Sequence, residues 1–508
     1  MINKNDQYEE ILTLIKNTAV QYPFQTALNE ISETGRNKTI TYGELFNDIC
    51  MVTNYLTSHV SFKYLDRVGV IPKKDINSII LILGITQARK CIVILNPNNA
   101  EEKLDNQIQF TNLKVVFSAH DFEAVQVLNI DKFMESIKEF SNFTESEVVY
   151  DTSDPAIIFF TTGTTDDSKA VIQSYENVNI NSKELARKHQ IGSDTRVLCV
   201  LPLFYANGLE FTVFSTLAGG GTLYLLEKVN ILYVLDCIES NNINIASVVP
   251  SLLRSLLKVN YAGTLKSLDY FVSAAAPLES RTAQEVYKKW GKKIIQGYGL
   301  TETTNFSTLI PPSISDKCYS ELLLEHIFPV GVPLDSVYLF IRNAVYSHKY
   351  KQYVGEICIQ GKTVAKGYLN NTLASNTSFN NDKFYTGDLG FLKYNEYLEK
   401  YLLYITGREK NVIKPNGRLI SLDEIDSILL NDRNIYDAIS YRLEDTDENF
   451  GLIINPKSKC VSHKYIENLL RKKIGSNVYP AKIAFTERID RLENGKVNRS
   501  VFSKGAMN

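Results

Sequence analysis

The sequence predicts an α/β protein with a large N-terminal region of βαβ units in mixed sheets, a smaller antiparallel sheet and a small α+β C-terminal domain. Between residues 67 and 290, short apolar runs alternate with stretches of helical character, which is typical of parallel strands joined by helices. Around 337–359 the strand-like runs lie closer together, as in an antiparallel sheet. After residue 407, short strands accompany one helix over about 100 residues, which indicates a separate compact unit.

The individual elements follow from apolar runs and helical periodicity taken in chain order. In the first part of the chain we expect helices at 8–22, 43–60 and 75–90, and strands at 39–42, 67–71, 91–95 and 156–160. In the middle we expect strands at 196–201, 222–226, 243–249 and 268–272, and helices at 209–217, 251–259 and 278–290. In the last part we expect strands at 438–442, 451–454 and 481–486, and a helix at 462–474.

The length of the chain indicates more than one domain. A chain of 508 residues is too long for a single hydrophobic core, so two or three domains are expected. The change in character near Gly407 places a boundary at residues 408–410. We therefore predict a large domain at 1–407 and a small one at 408–508.

Composition excludes several classes of protein. The net charge of −2 gives no reason to expect nucleic acid or an anionic membrane as a partner. The seven cysteines contain no Cys-x-x-Cys pair, which argues against a disulfide framework or a zinc site and suits a reducing compartment. The N-terminus leads into no signal-peptide core, and the apolar run at 79–85 is too short to span a membrane. We expect a soluble, cytoplasmic protein.

A polar loop follows the apolar run at 156–160. Four threonines surround one glycine, and a lysine stands six residues after that glycine: Thr161, Thr162, Gly163, Thr164, Thr165 and Lys169. Hydroxyl groups and backbone N–H groups can surround phosphate oxygens, and the lysine adds a positive charge. The alternative is a polar surface turn between two strands. The loop is not a Walker motif, because the Gly-Lys-Ser/Thr ending is missing.

The loop is one of six motifs, and their order along the chain favours phosphate binding over a surface turn. In chain order they are Thr162-Gly163-Thr164-Thr165 with Lys169, Leu201-Pro202-Leu203-Phe204, Tyr298-Gly299-Leu300-Thr301-Glu302, Tyr385-Thr386-Gly387-Asp388, Gly407-Arg408-Glu409-Lys410 and Gly495-Lys496. Each alone also fits a turn or a solvated charge cluster. Together the chain resembles the adenylate-forming superfamily of acyl- and aryl-CoA synthetases, peptide-synthetase adenylation domains and firefly luciferase. The resemblance extends from residue 41 to residue 496.

The resemblance implies ATP-dependent activation of a carboxylic acid and a mobile C-terminal domain. A carboxylate is a poor acyl donor, and an acyl-AMP formed with loss of pyrophosphate carries a good leaving group. Both reactants are negatively charged, so positioning, positive charge and Mg²⁺ are needed. The implied cofactors are ATP and Mg²⁺. CoA, or the phosphopantetheine arm of an acyl or peptidyl carrier protein, is the implied thiol acceptor.

The resemblance also assigns roles to residues at matching positions. The residues expected to hold the β- and γ-phosphates are Thr161, Thr162, Gly163, Thr164, Thr165 and Lys169. Tyr298 is expected to stack on adenine, Thr301 to contact the α-phosphate, Glu302 to bind magnesium, and Asp388 with Arg408 to bind the ribose. Lys410 is expected at the hinge and Gly417 on the path of the thiol. Lys496 would bridge the carboxylate and the α-phosphate and would leave before thiol transfer. The catalytic set is therefore Lys496, Thr301 and Glu302.

The acid pocket is assigned less sharply. Its expected wall consists of Tyr205, Asn207, Gly208, Ser273, Ala274, Ala275, Ala276, Gly297 and Gly299. Amino-acid-activating relatives often carry an aspartate soon after the Leu-Pro motif, and here no acid precedes Glu210. Leu300 also resembles acyl and aryl ligases more than peptide-synthetase domains. We therefore favour an aryl or acyl acid. The segment 273–276 equally fits a tight connection between a strand and a helix.

The chain departs from the family pattern at three places. In the phosphate loop, Asp166 and Ala170 stand at the two positions that are usually glycine, and Ser168 stands at the one that is usually proline. Asp166 and Asp167 add two carboxylates, and a nearby carboxylate repels phosphate. Tyr205 occupies a position that is often histidine in acyl-CoA ligases, and Leu492 to Asn494 lack the proline that usually precedes the C-terminal lysine motif.

Three functions remain open at this level. The leading prediction is a carboxylate–thiol ligase that works in two steps, with CoA or a separate carrier protein as acceptor, since no carrier domain follows Lys496. The first alternative is a stand-alone amino acid adenylation enzyme. The second is a degenerate member that binds nucleotide or a carrier protein without turnover, which Asp166 and Asp167 motivate.

Overall fold

The structure is a computed structural model that describes residues 9–32, 35, 37–122, 125–138, 150–161, 168–227, 229–414, 420–443, 449–474, 478–492, 495–496, 499 and 502. All structural statements below concern these residues. The strands are β1 (Thr26–Ile31), β2 (Lys38–Thr41), β3 (Arg67–Val70), β4 (Cys91–Ile94), β5 (Val115–Phe117), β6 (Gln126–Leu128), β7 (Pro155–Phe160), β8 (Ala170–Ser174), β9 (Arg196–Cys199), β10 (Thr222–Leu226), β11 (Ile245–Val248), β12 (Tyr270–Ser273), β13 (Lys293–Tyr298), β14 (Thr308–Leu309), β15 (Val332–Pro333), β16 (Val337–Ser347), β17 (Gln352–Gly361), β18 (Gly367–Tyr368), β19 (Phe379–Asn380), β20 (Lys383–Asn395), β21 (Lys400–Arg408), β22 (Val412–Ile413), β23 (Ile420–Ser421), β24 (Ile435–Arg442), β25 (Phe450–Pro456) and β26 (Lys482–Phe485).

The helices alternate with these strands through the first three hundred or so residues, as βαβ units require. They are α1 (Ile11–Gln21), α2 (Tyr42–Ser58), α3 (Val60–Lys63), α4 (Ile76–Gln87), α5 (Glu101–Phe110), α6 (Ile130–Ile137), α7 (Tyr175–Lys188), α8 (Thr216–Ala218), α9 (Ile231–Ser240), α10 (Pro250–Lys258), α11 (Ser280–Trp290), α12 (Asp316–Leu322), α13 (Thr372–Ser378), α14 (Leu422–Leu430) and α15 (His463–Lys473). A π-helix spans Asn207–Ser215, and 3₁₀ turns span Thr301–Thr303 and Glu409–Asn411.

The strands form two large mixed sheets and three smaller ones. The nine-stranded sheet has the order β15-β14-β13-β12-β11-β9-β10-β1-β2, and the seven-stranded sheet has the order β18-β8-β7-β4-β3-β5-β6. A five-stranded antiparallel sheet has the order β16-β17-β20-β19, with β21 also paired to β20. In the last part of the chain β22 pairs with β23, and β24-β25-β26 form a three-stranded sheet. These sheets match the architecture predicted from the sequence.

Local sequence explains why the predicted elements form. The four side chains of β4 are all buried, as expected for a parallel strand covered on both faces. Helix α2 begins with a capping box, in which the Thr41 hydroxyl accepts from the Glu44 N–H and the Glu44 carboxylate accepts from the Thr41 N–H. Helix α4 is capped by Asp75, whose carboxylate accepts from the Ser78 N–H at 2.8 Å.

One predicted helix has a different geometry. The segment predicted as a helix at 209–217 is a π-helix for most of its length. The Thr212 hydroxyl donates to the Asn207 carbonyl at 3.1 Å, and the Ser215 hydroxyl donates to the Glu210 carbonyl at 3.1 Å. Both side chains therefore reach carbonyls five residues earlier, in the widened backbone spacing that defines this helix type.

The buried apolar residues form one large core and separate smaller clusters. The large core includes residues from Ile11 to Tyr404. Another core, from Ile413 to Val478, lies between α14, α15 and the three-stranded sheet. The predicted boundary at 408–410 falls between these two cores, and the division into domains stays a prediction. Within the ranges that the structure describes, no helix has the length and apolar character needed to cross a membrane.

Candidate active site

Two neighbouring strands bring Asp388 and Arg408 together. Strands β20 and β21 run antiparallel, and Asp388 is the direct partner of Arg408 in their register. Arg408 Nε lies 2.8 Å from Asp388 Oδ1, and the Tyr298 hydroxyl donates to Asp388 Oδ2 at 2.7 Å. The Asp388 side chain is 4% exposed. The aspartate charge raises the pKa of Arg408, so this ion pair is held in its charged form.

The turn that carries Asp388 is fixed from the adjacent strand. Gly387 adopts a left-handed conformation with φ of +66°, which glycine allows without strain. Its N–H donates to Glu356 Oε1 at 3.1 Å, and the Asp388 N–H donates to the Thr386 hydroxyl at 2.9 Å. Arg342 in turn donates from Nε to Glu356 Oε2 at 2.9 Å. These contacts fix the direction of the Asp388 side chain.

Glu302 and Lys169 share one aromatic neighbour, Tyr368. The Tyr368 hydroxyl donates to Glu302 Oε1 at 3.0 Å, and Lys169 Nζ lies 4.5 Å from the centre of the Tyr368 ring. Tyr368 belongs to β18, which pairs with β8 directly after Lys169. Burial, and then the charge of Glu302, raises the pKa of the Tyr368 hydroxyl, so it remains a proton donor to the carboxylate at neutral pH.

The loop that carries Thr301 and Glu302 is held from below by Gln173. The Gln173 amide nitrogen donates to the carbonyl of Thr301 at 3.0 Å and to that of Thr304 at 3.2 Å. Thr304 has a φ of +69°, an unusual conformation for a residue with a branched side chain. The buried Gln173 amide therefore fixes two carbonyls of this constrained turn. The Glu302 side chain is oriented separately, by its hydrogen bond with Tyr368.

The base of the predicted phosphate loop is a β-hairpin. Strands β7 and β8 pair antiparallel, and the Thr161 N–H donates to the Lys169 carbonyl at 2.9 Å. The Lys169 N–H donates back to the Thr161 hydroxyl at 3.1 Å. The remaining residues predicted to hold phosphate, 162–165, and the two aspartates that follow them lie outside the described residues. The loop thus starts and ends beside Tyr368 and Glu302.

Lys496 lies near enough to these residues for their charges to act on its amine, although it belongs to the C-terminal end of the chain. The charges that act on its amine are those of Arg408, Glu302, Asp388 and Lys410. Burial, followed by the positive charge of Arg408, lowers the pKa of Lys496 to about 8, and the two carboxylates oppose this effect. The structure therefore brings the predicted lysine to the strand ends that carry the predicted ATP-binding residues.

The segment around Lys410 is anchored by a half-buried aspartate of α14, Asp423. The Arg408 N–H donates to Asp423 Oδ2 at 2.9 Å, and Asn411 Nδ2 donates to the same oxygen at 3.1 Å. Burial acts to raise the pKa of Asp423, but Arg499 and these hydrogen bonds outweigh it and lower the pKa. Gly417, predicted to lie on the thiol path, is outside the described residues.

The predicted acid pocket is built on close approaches of the backbone. A Cβ atom on Gly208 would lie 2.1 Å from the Pro202 carbonyl oxygen, and one on Gly299 would lie 1.6 Å from the Asn305 carbonyl oxygen. A Cβ atom on Gly297 would lie 2.8 Å from the Phe306 ring. A side chain at Gly208 or Gly299 would therefore require the backbone to move, whereas one at Gly297 would require the Phe306 ring to shift.

The other predicted pocket residues lie at the same end of the nine-stranded sheet. Ser273 ends β12, and Ala275 in the connection to α11 has a φ of +69°. This connection is the tight link between strand and helix that the sequence allowed. Among the described residues, the buried Ser273 hydroxyl and Asn207 Nδ2 have no hydrogen-bond partner in the protein. Tyr205 precedes the π-helix and contacts the ring of Phe204.

A buried carboxyl group, Glu210, stands behind the Thr301 loop. Glu210 is fully buried in the π-helix, and within the described part of the chain neither carboxyl oxygen accepts a hydrogen bond. Burial raises its pKa well above the ordinary value, with the Gln173 side chain beside it. The Gln173 side chain opposes this effect on the pKa of Glu210, and its nitrogen is engaged by the Thr301 and Thr304 carbonyls.

We expect Glu210→Gln to stabilise the protein more at pH 8 than at pH 5. The folded protein holds a proton that the unfolded chain releases above the ordinary carboxyl pKa. The free energy of unfolding therefore falls as pH rises toward the raised pKa, by about 1.4 kcal/mol per pH unit. Glutamine can donate an amide N–H in place of the carboxyl O–H, and it does not titrate. Thermal unfolding at both pH values measures the effect, with the exposed Glu102→Gln as control. An equal shift at both pH values would mean that Glu210 is ionised.

Four residues of this site carry no sequence signal that would have revealed them. They are Tyr368, Gln173, Glu356 and Asp423. Each acts on a residue far away in the chain, and each lies in an ordinary strand or at a helix start. A register prediction for the pair β8–β18 would have placed Tyr368 beside Lys169, but β18 is only two residues long.

The chain is similar in sequence to a family of AMP-binding enzymes and to several CoA ligases. The sequence model of the family described as AMP-binding enzyme matches residues 15–369. The 2-succinylbenzoate–CoA ligase of Bacillus cereus is 25% identical over 492 residues, covering 96% of each chain. The oxalate–CoA ligase of Arabidopsis thaliana is 23% identical over 521 residues, covering 97% of each chain. These relatives are acid–thiol ligases.

Solved structures have the same fold over nearly the whole length. An O-succinylbenzoate coenzyme A synthetase from Bacillus subtilis, in complex with an acyl-adenylate intermediate, has a TM-score of 0.80 at 23% identity and covers 96% of this chain and 97% of that one. ATP-bound MatB from Rhodopseudomonas palustris has a TM-score of 0.83 at 22% identity, covering 98% and 99%. The predicted fold class and the predicted superfamily are confirmed. Since the family model matches well over half of the chain, this chain belongs to the AMP-binding enzyme family.

Proposed function

We propose that the protein is an ATP-dependent acid–CoA ligase. In the first step an oxygen of the carboxylate attacks the α-phosphorus of ATP, the bond to the bridging oxygen breaks, and pyrophosphate leaves. In the second step the thiol sulfur attacks the acyl carbon, the bond to AMP breaks, and the thiol proton is released. The observation that carries this proposal is the position of Lys496 among Arg408, Glu302 and Asp388.

The residues present fit ATP with Mg²⁺. Lys169, Arg408 and Lys496 supply positive charge for a triphosphate, and the Asp388 carboxylate on β20 can accept hydrogen bonds from a ribose. Among the described residues, no group of three or more His, Cys, Asp or Glu could hold a metal by itself. Mg²⁺ keeps few protein ligands and prefers phosphate oxygens, so Glu302 would be its carboxylate ligand. There the ion would offset the negative charge of the phosphates.

The acceptor and the acid are inferred from chemistry and from the relatives. Both named relatives are CoA ligases, which favours CoA over a carrier protein. Their named acids, 2-succinylbenzoate and oxalate, each carry two carboxylates, so dicarboxylic acids belong among the candidates. A neutral Glu210 offers no counter-charge to an ammonium group, which disfavours amino acids. Seven free thiols, six of them buried, suit the reducing conditions of the cytoplasm.

A pyrophosphate-exchange screen tests the proposal. The acids are aryl, fatty, dicarboxylic and amino acids, each with ATP and Mg²⁺, and active acids are then offered CoA or a carrier protein bearing phosphopantetheine. We expect exchange with an aryl or acyl acid and thioester formation with CoA. Exchange with amino acids alone would support the stand-alone adenylation enzyme. No exchange with any acid, combined with ATP binding, would support a member without turnover.

We expect Asp166→Gly together with Asp167→Ala to lower the KM for ATP. Both aspartates stand in the predicted phosphate loop and lie outside the described residues. The change removes two negative charges beside the expected position of the triphosphate, and glycine restores backbone freedom. The gain should be largest at low salt, because salt screens exposed charges. Steady-state kinetics at two salt concentrations measure it. Loss of activity would instead identify the aspartates as ligands.

A further inference from the structure

The loop that carries Lys496 is shaped by an arginine five residues earlier. The Leu492 N–H donates to the Lys496 carbonyl at 2.9 Å, and the Gly495 N–H donates to the Leu492 carbonyl at 2.7 Å. Arg491 Nη1 donates to the Gly495 carbonyl at 3.3 Å. Backbone hydrogen bonds and one guanidinium group therefore define where the chain turns just before the lysine.

The same arginine begins a row of alternating charges. Arg491 donates from Nε to Asp437 Oδ2 at 3.0 Å and from Nη2 to Asp437 Oδ1 at 2.5 Å. Arg254 Nη2 lies 3.9 Å from Asp437 Oδ1, and Arg254 Nη1 donates to the two oxygens of Glu279 at 2.9 and 3.1 Å. The four side chains are 4–16% exposed. A low exposure means that water screens these charges weakly.

This row crosses between two parts of the chain. Asp437 and Arg491 belong to the part after residue 408, whereas Arg254 lies on α10 and Glu279 directly precedes α11. The contact from Arg254 to Asp437 therefore joins the C-terminal part to α10. At 3.9 Å, it is also the longest contact of the row.

Helix α10 also supplies the surface on which the Lys496 loop lies. Gly495 has a φ of +78°, and a Cβ atom there would be 3.3 Å from Ser251 Oγ and 3.3 Å from Val249 Cβ. Like the Arg254–Asp437 contact, a cation–π contact joins α10 to β24, with Lys258 Nζ 4.1 Å from the ring centre of Tyr436. One helix thus contacts the Lys496 loop directly and holds strand β24 by two cationic side chains.

We propose that Arg254, through Asp437 and Arg491, is a positioning residue for Lys496. Arg491 and Asp437 give the Lys496 loop its shape, and Arg254 fixes that unit against α10 so that the amine reaches Arg408, Glu302 and Asp388. Glu279 holds the Arg254 guanidinium in the orientation that presents its second nitrogen to Asp437. The expected kinetic effect rests on the proposed function, in which Lys496 serves adenylation.

The first test separates the two half-reactions in Arg254→Gln. We expect the rate of pyrophosphate exchange to fall about tenfold, or about 1.4 kcal/mol of barrier, while thiol transfer from supplied acyl-AMP stays unchanged. The KM for ATP should change little, because Arg254 does not contact the nucleotide pocket. The control is Arg488→Gln, in the same segment as Arg491 but 87% exposed. Equal losses in both half-reactions, or no loss, would overturn the proposal.

A double-mutant cycle tests the path through Asp437. Asp437→Asn loses both the Arg491 and the Arg254 contacts, so its exchange rate should be lower than that of Arg254→Gln. The double variant should then be no slower than Asp437→Asn alone, because partners in one charge network are not additive. Multiplied effects of the two changes would mean that Arg254 does not act through Asp437, which would overturn the proposed path.

A distance measurement tests the positioning role without turnover. Cys460 is exposed, whereas the other six cysteines are buried. Leu324 is an exposed residue in the part of the chain before residue 408, and it can be changed to cysteine. Spin labels at both sites report how the C-terminal part sits on α10. We expect one main distance in the parent and a broader distribution in Arg254→Gln. An unchanged distribution would overturn the role of Arg254. If the parent shows no turnover but Arg254→Gln still broadens the distance distribution, only the proposed function would be overturned.

Discussion

Replacing Lys496 with alanine is expected to slow adenylation by about a hundred- to a thousandfold. This is the loss of about 3–4 kcal/mol that follows removal of one charge-stabilising contact in a transition state. The amine lies among Arg408, Glu302 and Asp388, where negative charge from the carboxylate and the α-phosphate would meet. Thiol transfer from supplied acyl-AMP should remain near the parent rate, because that step does not need the lysine.

Two further measurements separate this role from a structural one. The exposed Lys482→Ala is the control, since it removes the same charge from a neighbouring strand. In the parent, kcat/KM for ATP in the exchange reaction should fall as pH rises through about 8, because the protonated amine is the active form and its pKa is lowered to about 8. Lys496→Ala should lose this decline. Equal loss of both half-reactions would contradict the assigned role.

The sequence predicted the residues of this site better than it predicted their contacts. Order and spacing of the motifs identified Asp388, Arg408, Glu302, Lys169 and Lys496, and the structure brings these five together. The contacts depend on register. Asp388 faces Arg408 only because the pairing of β20 with β21 shifts by one residue just after Leu389. No local pattern in either strand announces that shift.

Helix α7 shows why part of the fold escaped prediction. Its buried side is largely polar, and it includes Asn177, Asn179, Asn181 and Glu184. These side chains satisfy distant backbone groups: Asn177 Nδ2 donates to the Lys362 and Val364 carbonyls, and Asn181 Nδ2 donates to the Phe306 carbonyl. Helix prediction from sequence depends on an apolar stripe, so a helix that packs through amides gives no such signal.

The buried residues that contact the turn at residues 301–304 could not be predicted from the sequence, for a related reason. Gln173 fixes Thr301 and Thr304 from the middle of β8, and Tyr368 directs Glu302 from a two-residue strand. In sequence, each is one polar or aromatic residue in an apolar stretch, as is common in strands. Their importance comes from the positions where the sheet and the turn meet, which only three-dimensional placement shows.

Replacing Lys410 with proline is expected to abolish most thiol transfer while adenylation survives. Lys410 lies in the 3₁₀ turn Glu409–Asn411. The φ typical of a 3₁₀ helix, about −50° to −70°, includes the value of about −65° at which proline is fixed. The proline therefore suits the arrangement in which Lys496 lies in the pocket. If residue 410 is the pivot on which the C-terminal part turns for the second step, a fixed φ prevents that rotation.

The control for the proline variant is Lys410→Ala, which removes the side chain but leaves the backbone free to rotate. Both half-reactions should then stay near the parent rates, and thermal unfolding of both variants checks that the fold is kept. The Arg442 guanidinium still donates to the residue 410 carbonyl, and the Asp423 carboxylate still holds the Arg408 N–H, so the turn keeps its anchors in either variant. A proline variant with both half-reactions intact would place the pivot elsewhere. Loss of adenylation with thiol transfer retained would show that proline at residue 410 does not fit the arrangement that adenylation requires.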